Sequence, residues 1–330
     1  MRAPHIVAWE TTRACNLACV HCRASAMPEP PPGELTTSQG TALLDDLAAS
    51  GVRLVILSGG EALVRGDILE LAAHGTRLGL RMTLATNGTL VTADVARALR
   101  DAGLVRVSVS LDGVTRATHD GFRGVDGSFD AALAGIARLN EAGVAVQVNT
   151  TVAAANIGEM DRFPGFLETL GACAWHVFFL VPTGRGAAVE PARANGYRMM
   201  LEGFRKVAAS SRIECKATCA PQYYRMLLED TGAVPTKGCL AGTGFGFVSS
   251  TGVVQPCGFL QVACGDVRET PFSRIWATSP FLENLRDTSR LTGKCGSCGH
   301  ADVCGGCRAR AYEVFGDSMA ADPICWFEEP

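Results

Sequence analysis

Apolar, β-branched runs and segments of helical period alternate along the first half of the chain. Runs at Ile6–Trp9, Arg53–Leu57, Met82–Ala85, Val105–Leu111, Val144–Val152 and Trp175–Val181 read as strands. Between them, Ser38–Ser50, Ile68–Leu78, Ala93–Ala102, Phe129–Ala142 and Ile157–Leu170 carry apolar residues at helical spacing. Thr36-Thr37-Ser38 and Thr92 before Asp94 are helix start signals. Strands that are apolar on both faces and joined by helices make parallel β/α units with right-handed crossovers. Six in a row predict an α/β fold: a partial (β/α)6 barrel of TIM type, with its site at the C-terminal strand ends. After Gly186 the pattern changes. Residues 196–210 read as one more helix, and from Gly238 onward periodicity is weak and cysteines dominate. The expected organisation is a barrel core at 1–186, a linking helix and substrate-side segment at 187–235, and a cysteine-rich domain at 236–330.

Polar and glycine motifs fall at the strand ends, where that rule places a site. The first strand leads into Cys15-x3-Cys19-x2-Cys22. The next ones end in Ser58-Gly59-Gly60-Glu61, Thr86-Asn87-Gly88 and Ser108-Val109-Ser110-Leu111-Asp112-Gly113. The last two carry Asn149-Thr150-Thr151 and Val181-Pro182-Thr183-Gly184-Arg185-Gly186. Three thiolates are one short of the four that fill a [4Fe–4S] cluster, so a cubane held by Cys15, Cys19 and Cys22 has an iron open to a small molecule.

Composition narrows the chemistry. Hydrophobic residues make up 47% of the 330 residues and charged ones 19%, enough for a large core. A net charge of −3 argues against a nucleic acid as main partner. No run is apolar enough to span a membrane. Met1–His5 runs into the first strand without a signal-peptide pattern, and the chain has 14 cysteines. Many cysteines without export point to metal or redox work in a reducing cytoplasm. A C-x2-C…C-x2-C array, as at Cys295, Cys298, Cys304 and Cys307, is also the pattern of a zinc site.

Cys15, Cys19 and Cys22 followed by Gly59-Gly60-Glu61 resemble the radical S-adenosylmethionine (SAM) superfamily. Cys239-x12-Gly252-x4-Cys257, the array from Cys295 to Cys307 and Cys325 resemble its SPASM extension, which carries auxiliary iron–sulfur clusters. The resemblance implies that SAM chelates the open iron and is cleaved to a 5′-deoxyadenosyl radical, with an external donor such as ferredoxin or flavodoxin supplying the electron. It implies SAM contacts from His21, Gly59, Gly60, Glu61, Ser110, Arg123, Asn149 and Val181. Ala62 stands where the family usually has proline.

The same resemblance assigns Cys295, Cys298, Cys304 and Cys325 to one auxiliary cluster and Cys239, Cys257 and Cys307 to another. A cysteine expected shortly before Cys239 is missing. The second cluster therefore has an open iron, takes Cys219 from farther away, or is absent, leaving one or two auxiliary clusters.

A narrower resemblance carries a substrate class. Ala8-Trp9-Glu10, Ala14–Ala24, Trp175–Gly186, Lys216–Pro221 and Gly305–Tyr312 are similar to the alternative haem biosynthesis family. Its members turn two propionates of iron-coproporphyrin III into vinyls by oxidative decarboxylation. That tetrapyrrole gives Arg185, Lys216, Tyr223, Tyr224 and Arg225 as expected propionate or macrocycle contacts, and His176 as a possible iron ligand. Related haem d1 chemistry, a SPASM maturase of a ribosomal peptide and a ferredoxin-like carrier are the competing readings. A carrier has no use for a SAM pocket.

Overall fold

The computed structural model describes residues 3–191 and 194–327. Six strands lie within a residue or two of the expected runs: β1 (Ile6–Glu10), β2 (Leu54–Ser58), β3 (Arg81–Thr86), β4 (Arg106–Ser110), β5 (Val146–Val152) and β6 (Ala174–Phe179). Each pairs in parallel with the next. The helices Thr37–Ala49, Ile68–Arg77, Ala93–Asp101 and Ser128–Glu141 cover the outer face. Thr36 starts the first with a complete capping box, and Thr92 caps the third through Val95 N. Val7, Trp9, Val55, Leu57, Met82, Leu84, Val107, Val109, Val146 and Val148 are buried between sheet and helices. The alternate residues face the inside of the curved sheet, which is why that interior can be polar.

The sheet does not stop at residue 186. β7 (Glu214–Thr218) adds to β6 in parallel. β8 (Phe245–Val248), from the cysteine-rich part of the chain, pairs in parallel with β1. β9 (Val253–Gln255) and β10 (Gly265–Asp266) continue that edge antiparallel. The ten-stranded order is β10-β9-β8-β1-β2-β3-β4-β5-β6-β7. The cysteine-rich segment is therefore stitched to the barrel next to β1, the strand that carries the first cysteine loop. No helix among the described residues is long and apolar enough to cross a membrane.

Candidate active site and its cysteine groups

A cavity of about 200 Å3 opens at the C-terminal ends of the parallel strands. Cys15, Cys19 and Cys22 line it together with His21, Gly59, Gly60, Ser110, Arg123, Val181 and Arg185. The structure thus gathers ten of the expected site residues from four strand ends, those of β1, β2, β4 and β6. Burial, with the neighbouring charges of Glu61, Cys19 and Cys22, pushes the Cys15 thiol up to about 11 despite a hydrogen bond from Leu17. Three largely buried thiols gathered in one cavity are costly to ionise unless a cation joins them, which an iron cluster supplies.

The loop is held by its neighbours' backbones. Gly60 N donates to the Thr12 carbonyl and Glu61 N to the Ala14 carbonyl, both at 2.8 Å. A Cβ on Gly60 would fall on the Ala14 carbonyl oxygen, so β2 can reach the root of the loop only as glycine. On the other side, Arg185 N donates to the Cys22 carbonyl at 3.0 Å. Arg185 Nε donates to the Cys19 carbonyl at 2.8 Å and Nη1 to the Ala26 carbonyl at 2.7 Å. The expectation that Arg185 holds a propionate gives way to a clamp on the cysteine loop. Only Nη2 is left, buried and without a partner.

Charge at the cavity wall is arranged by Asp112, which ends the Ser-Leu-Asp motif after β4. It is fully buried, with Arg123 Nη2 at 2.6 Å and His21 Nε2 at 3.5 Å. Arg123 Nη1 also reaches Cys19 Sγ at 3.7 Å. Burial pulls His21 down to about 4, so the ring is neutral at physiological pH. Its Nδ1, like Arg123 Nε, is buried and unpartnered. Three orphaned polar atoms, on His21, Arg123 and Arg185, thus belong to cavity-lining side chains, as a bound polar ligand requires.

Two expected contacts stand back from the cavity. The Glu61 carboxylate is fully buried and accepts from Leu63 N at 3.0 Å, Thr86 Oγ1 at 2.8 Å and Asn87 N at 2.7 Å. It ties β2 to β3 instead of facing a ligand. Asn149 pairs in register with Ser110, but its Oδ1 accepts from Gln147 Nε2.

The remaining cysteines form two further groups. Cys295, Cys298, Cys304 and Cys325 line one small cavity of about 20 Å3 with Arg225 and Asp322. Arg308 Nη2 lies 3.5 Å from Cys295 Sγ and Arg225 Nη1 3.8 Å from Cys298 Sγ. Arg225 is therefore a neighbour of this thiol group, not of the first cavity.

Cys219, Cys239, Cys257 and Cys307 make the second group: burial pushes the Cys219 thiol well up, and the charges of the nearby Cys307, Cys257 and Cys239 add to that push. Burial, then the charges of Cys239 and Cys307, pushes Cys257 up to about 12. Among the described residues no three or more His, Cys, Asp or Glu side chains are gathered closely enough to hold a single metal ion.

Other substrate expectations land elsewhere. Tyr223 and Tyr224 are buried in an aromatic core, with Tyr223 5.4 Å from Phe204. His176 and Lys216 face each other across β6 and β7 inside the curved sheet, below the cavity. His176 Nε2 contacts Glu214 Oε1 at 3.2 Å and its Nδ1 meets Gln147 Nε2 at 3.0 Å, the satisfied pattern of a structural histidine.

Sequence reasoning missed Arg23 as a site residue. It lines the cavity, pairs with Glu10 at 2.7 Å and donates to the Gly258 carbonyl at 3.0 Å, joining the first loop to the cysteine-rich domain. Its only signal was a position next to Cys22.

The Radical SAM superfamily profile matches residues 9–163, and a SPASM iron-sulfur cluster-binding domain profile matches 239–299. The chain is 46% identical to the AdoMet-dependent heme synthase of Methanosarcina barkeri, over 98% of this chain and 96% of that one. The chain belongs to the radical SAM superfamily. It is an enzyme of that class, using SAM, a [4Fe–4S] cluster and auxiliary clusters. It is also 44% identical to the AdoMet-dependent heme synthase of Nitratidesulfovibrio vulgaris, over 98% of this chain and 92% of that one. Streptococcus suis SuiB bound to S-adenosylmethionine shares the fold, with a TM-score of 0.80 at 17% identity over 98% of this chain and 77% of that one.

Proposed function

We propose that this radical SAM enzyme forms haem b from iron-coproporphyrin III, converting two propionates to vinyl groups in a reducing cytoplasm. The observation that carries the reading is the 46% identity to a heme synthase across nearly the full length of both chains. The geometry supports it by placing three groups of cysteines around and beyond one cavity. Cys15, Cys19 and Cys22 would hold the first cluster; Cys295, Cys298, Cys304 and Cys325 would hold an auxiliary one. When bound, these groups supply hydrogen-atom abstraction through SAM and one-electron acceptance.

The substrate's own balance requires both. A propionate loses a hydrogen atom from its β-carbon. The resulting radical carboxylate then breaks its Cα–carboxyl bond, releasing CO2 and one electron and leaving a vinyl group. The chain's residues position and shield this chemistry. Arg185 and the Gly59–Gly60 turn fix the cysteine loop. Asp112 keeps Arg123 charged and aimed at the cavity. The apolar wall of half-buried Phe178 with buried Leu180 and Val181 limits water there. A ferredoxin- or flavodoxin-like protein would deliver the starting electron.

The test is anaerobic incubation of reconstituted enzyme with SAM, reductant and iron-coproporphyrin III. Mass spectrometry should show loss of two formic-acid equivalents. SAM cleavage with unchanged porphyrin would overturn the substrate. Cys295→Ala should still cleave SAM while forming little vinyl product.

A further inference from the structure

We propose that Cys219 is the fourth thiolate of the auxiliary site built from Cys239, Cys257 and Cys307. The sequence has no cysteine just before Cys239, and the fold fills that gap from a different part of the chain. Cys219 sits in the turn between β7 and the helix Gln222–Thr231. Its side chain packs against an apolar cluster that contains Cys307 and Val181 and against which Cys257 also packs. The Cys239 backbone is brought beside it because Gly238 lies against Pro221; a Cβ there would come within 2.8 Å of the Pro221 Cα.

The backbone around Cys219 is set for this. Its φ is +59°, a left-handed conformation that glycine takes freely and other residues take at a cost. Two donors hold it there: Arg310 Nη2 reaches the Cys219 carbonyl at 2.8 Å and Tyr197 Oη reaches it at 3.1 Å. Arg310 comes from the helix Arg308–Phe315, which follows Cys307 directly. One arginine therefore ties the loop of one thiolate to the element that carries another. The turn is strained in a way glycine would relieve, yet it presents a thiol to three more thiols.

Four thiolates complete the site, so none of its irons is left for a substrate carboxylate or an exogenous ligand. That confines the open iron to the Cys15, Cys19 and Cys22 loop. Under the function proposed above, and resting on it only here, the substrate's electron then reaches this site through space, without a bond to the substrate.

The test reads the metal site itself and needs no porphyrin. Cys219→Gly keeps the left-handed turn and removes the sulfur; Cys219→Ser keeps a side chain with an oxygen donor. Each is reconstituted anaerobically beside wild type and beside Cys173→Ser, an exposed-cysteine control.

In Cys219→Gly the expected result is iron and sulfide content lowered by up to about one third, or an altered auxiliary EPR signal that shifts on adding imidazole or 2-mercaptoethanol. The SAM-induced change in the first cluster's signal should persist. Cys219→Ser should alter the same auxiliary signal. The auxiliary signals of wild type and Cys173→Ser should not respond to imidazole. Wild-type iron, sulfide and EPR spectra in both Cys219 variants would overturn the assignment. An imidazole-induced shift of an auxiliary signal in the wild-type protein would overturn it equally, and that arm remains decisive if a variant fails to fold. Because no substrate is present, these outcomes stand apart from the fate of the haem reading.

Discussion

Arg185 Nε donates to the Cys19 carbonyl at 2.8 Å, joining the end of β6 to the middle of the first cysteine loop. With the bond from Nη1 to Ala26 O, one guanidinium spans both sides of Cys22. Hydrogen bonds to charged groups contribute about 1.5–3 kcal/mol each. Arg185→Ala should therefore destabilise the chain by a few kcal/mol and loosen the loop. The expected outcome is a lower thermal midpoint and a fall of about tenfold or more in 5′-deoxyadenosine formation. Arg185→Lys, which cannot make both bonds at once, should recover only part of the loss.

Gly60→Ala tests the second fixture of that loop. The new methyl group would fall on the Ala14 carbonyl oxygen, and backbone cannot step aside as a side chain can. Overpacking of this kind costs about 1–3 kcal/mol. SAM affinity measured by calorimetry should drop together with the thermal midpoint. Gly66→Ala, where added bulk meets nothing within 4 Å, should leave both unchanged.

The parts legible in the sequence were those with strong physical punctuation. β1–β6 bury the residues that face the helices completely and most inward ones at least partly, so their apolar runs stand out from the helices between them. β7 is an edge strand in which Glu214, Cys215, Lys216 and Thr218 all keep some exposure, and no apolar run marks it. β8 has only four residues, Phe245-Gly-Phe-Val248, and a glycine at 246 because Trp276 and Phe272 occupy the space of a side chain.

Residue type alone misled at Tyr223 and Tyr224. Tyrosine suits both a macrocycle and a core, and only the packing of the helix Gln222–Thr231 against Phe204 decides between them. Arg185 carries a second duty that its residue type does not reveal: carbonyls of the cysteine loop take Nε and Nη1, leaving only Nη2 without a partner at the cavity.

His176 should set part of the acid sensitivity. Burial, opposed by Glu214, pulls it down to about 4 from 6.5. The unfolded chain thus binds more protons than the folded one between about pH 6.5 and pH 4. Stability contributed by the neutral ring is complete above that window and is lost as pH falls through it. His176→Gln should flatten the stability–pH curve there by about 1.4 kcal/mol per pH unit, one proton's worth. Anaerobic urea unfolding from pH 7.5 down to 5 measures this as the difference between variant and wild type. An unchanged slope would show that the ring is solvated and titrates normally.

The last prediction concerns Arg310 and Asp322, an ion pair at 3.1 Å whose side chains are 3% and 0% exposed. Asp322 Oδ2 also accepts from Cys307 N at 2.8 Å and from Gln222 Nε2 at 2.9 Å, while Asp322 lines the cavity of the Cys295 group. The pair therefore lies between the two auxiliary thiol groups and touches both. Removing one partner of a buried pair leaves the other charge uncompensated and costs about 3–5 kcal/mol. Arg310→Met and Asp322→Asn should each lose about that much in anaerobic denaturant unfolding. The double variant no longer buries a lone charge, so its loss should fall short of the sum by about 1–3 kcal/mol. Additive losses would mean that the two side chains act separately, Arg310 through the Cys219 carbonyl and Asp322 through Cys307 N, and that the charge pairing between them contributes nothing to holding the auxiliary sites together.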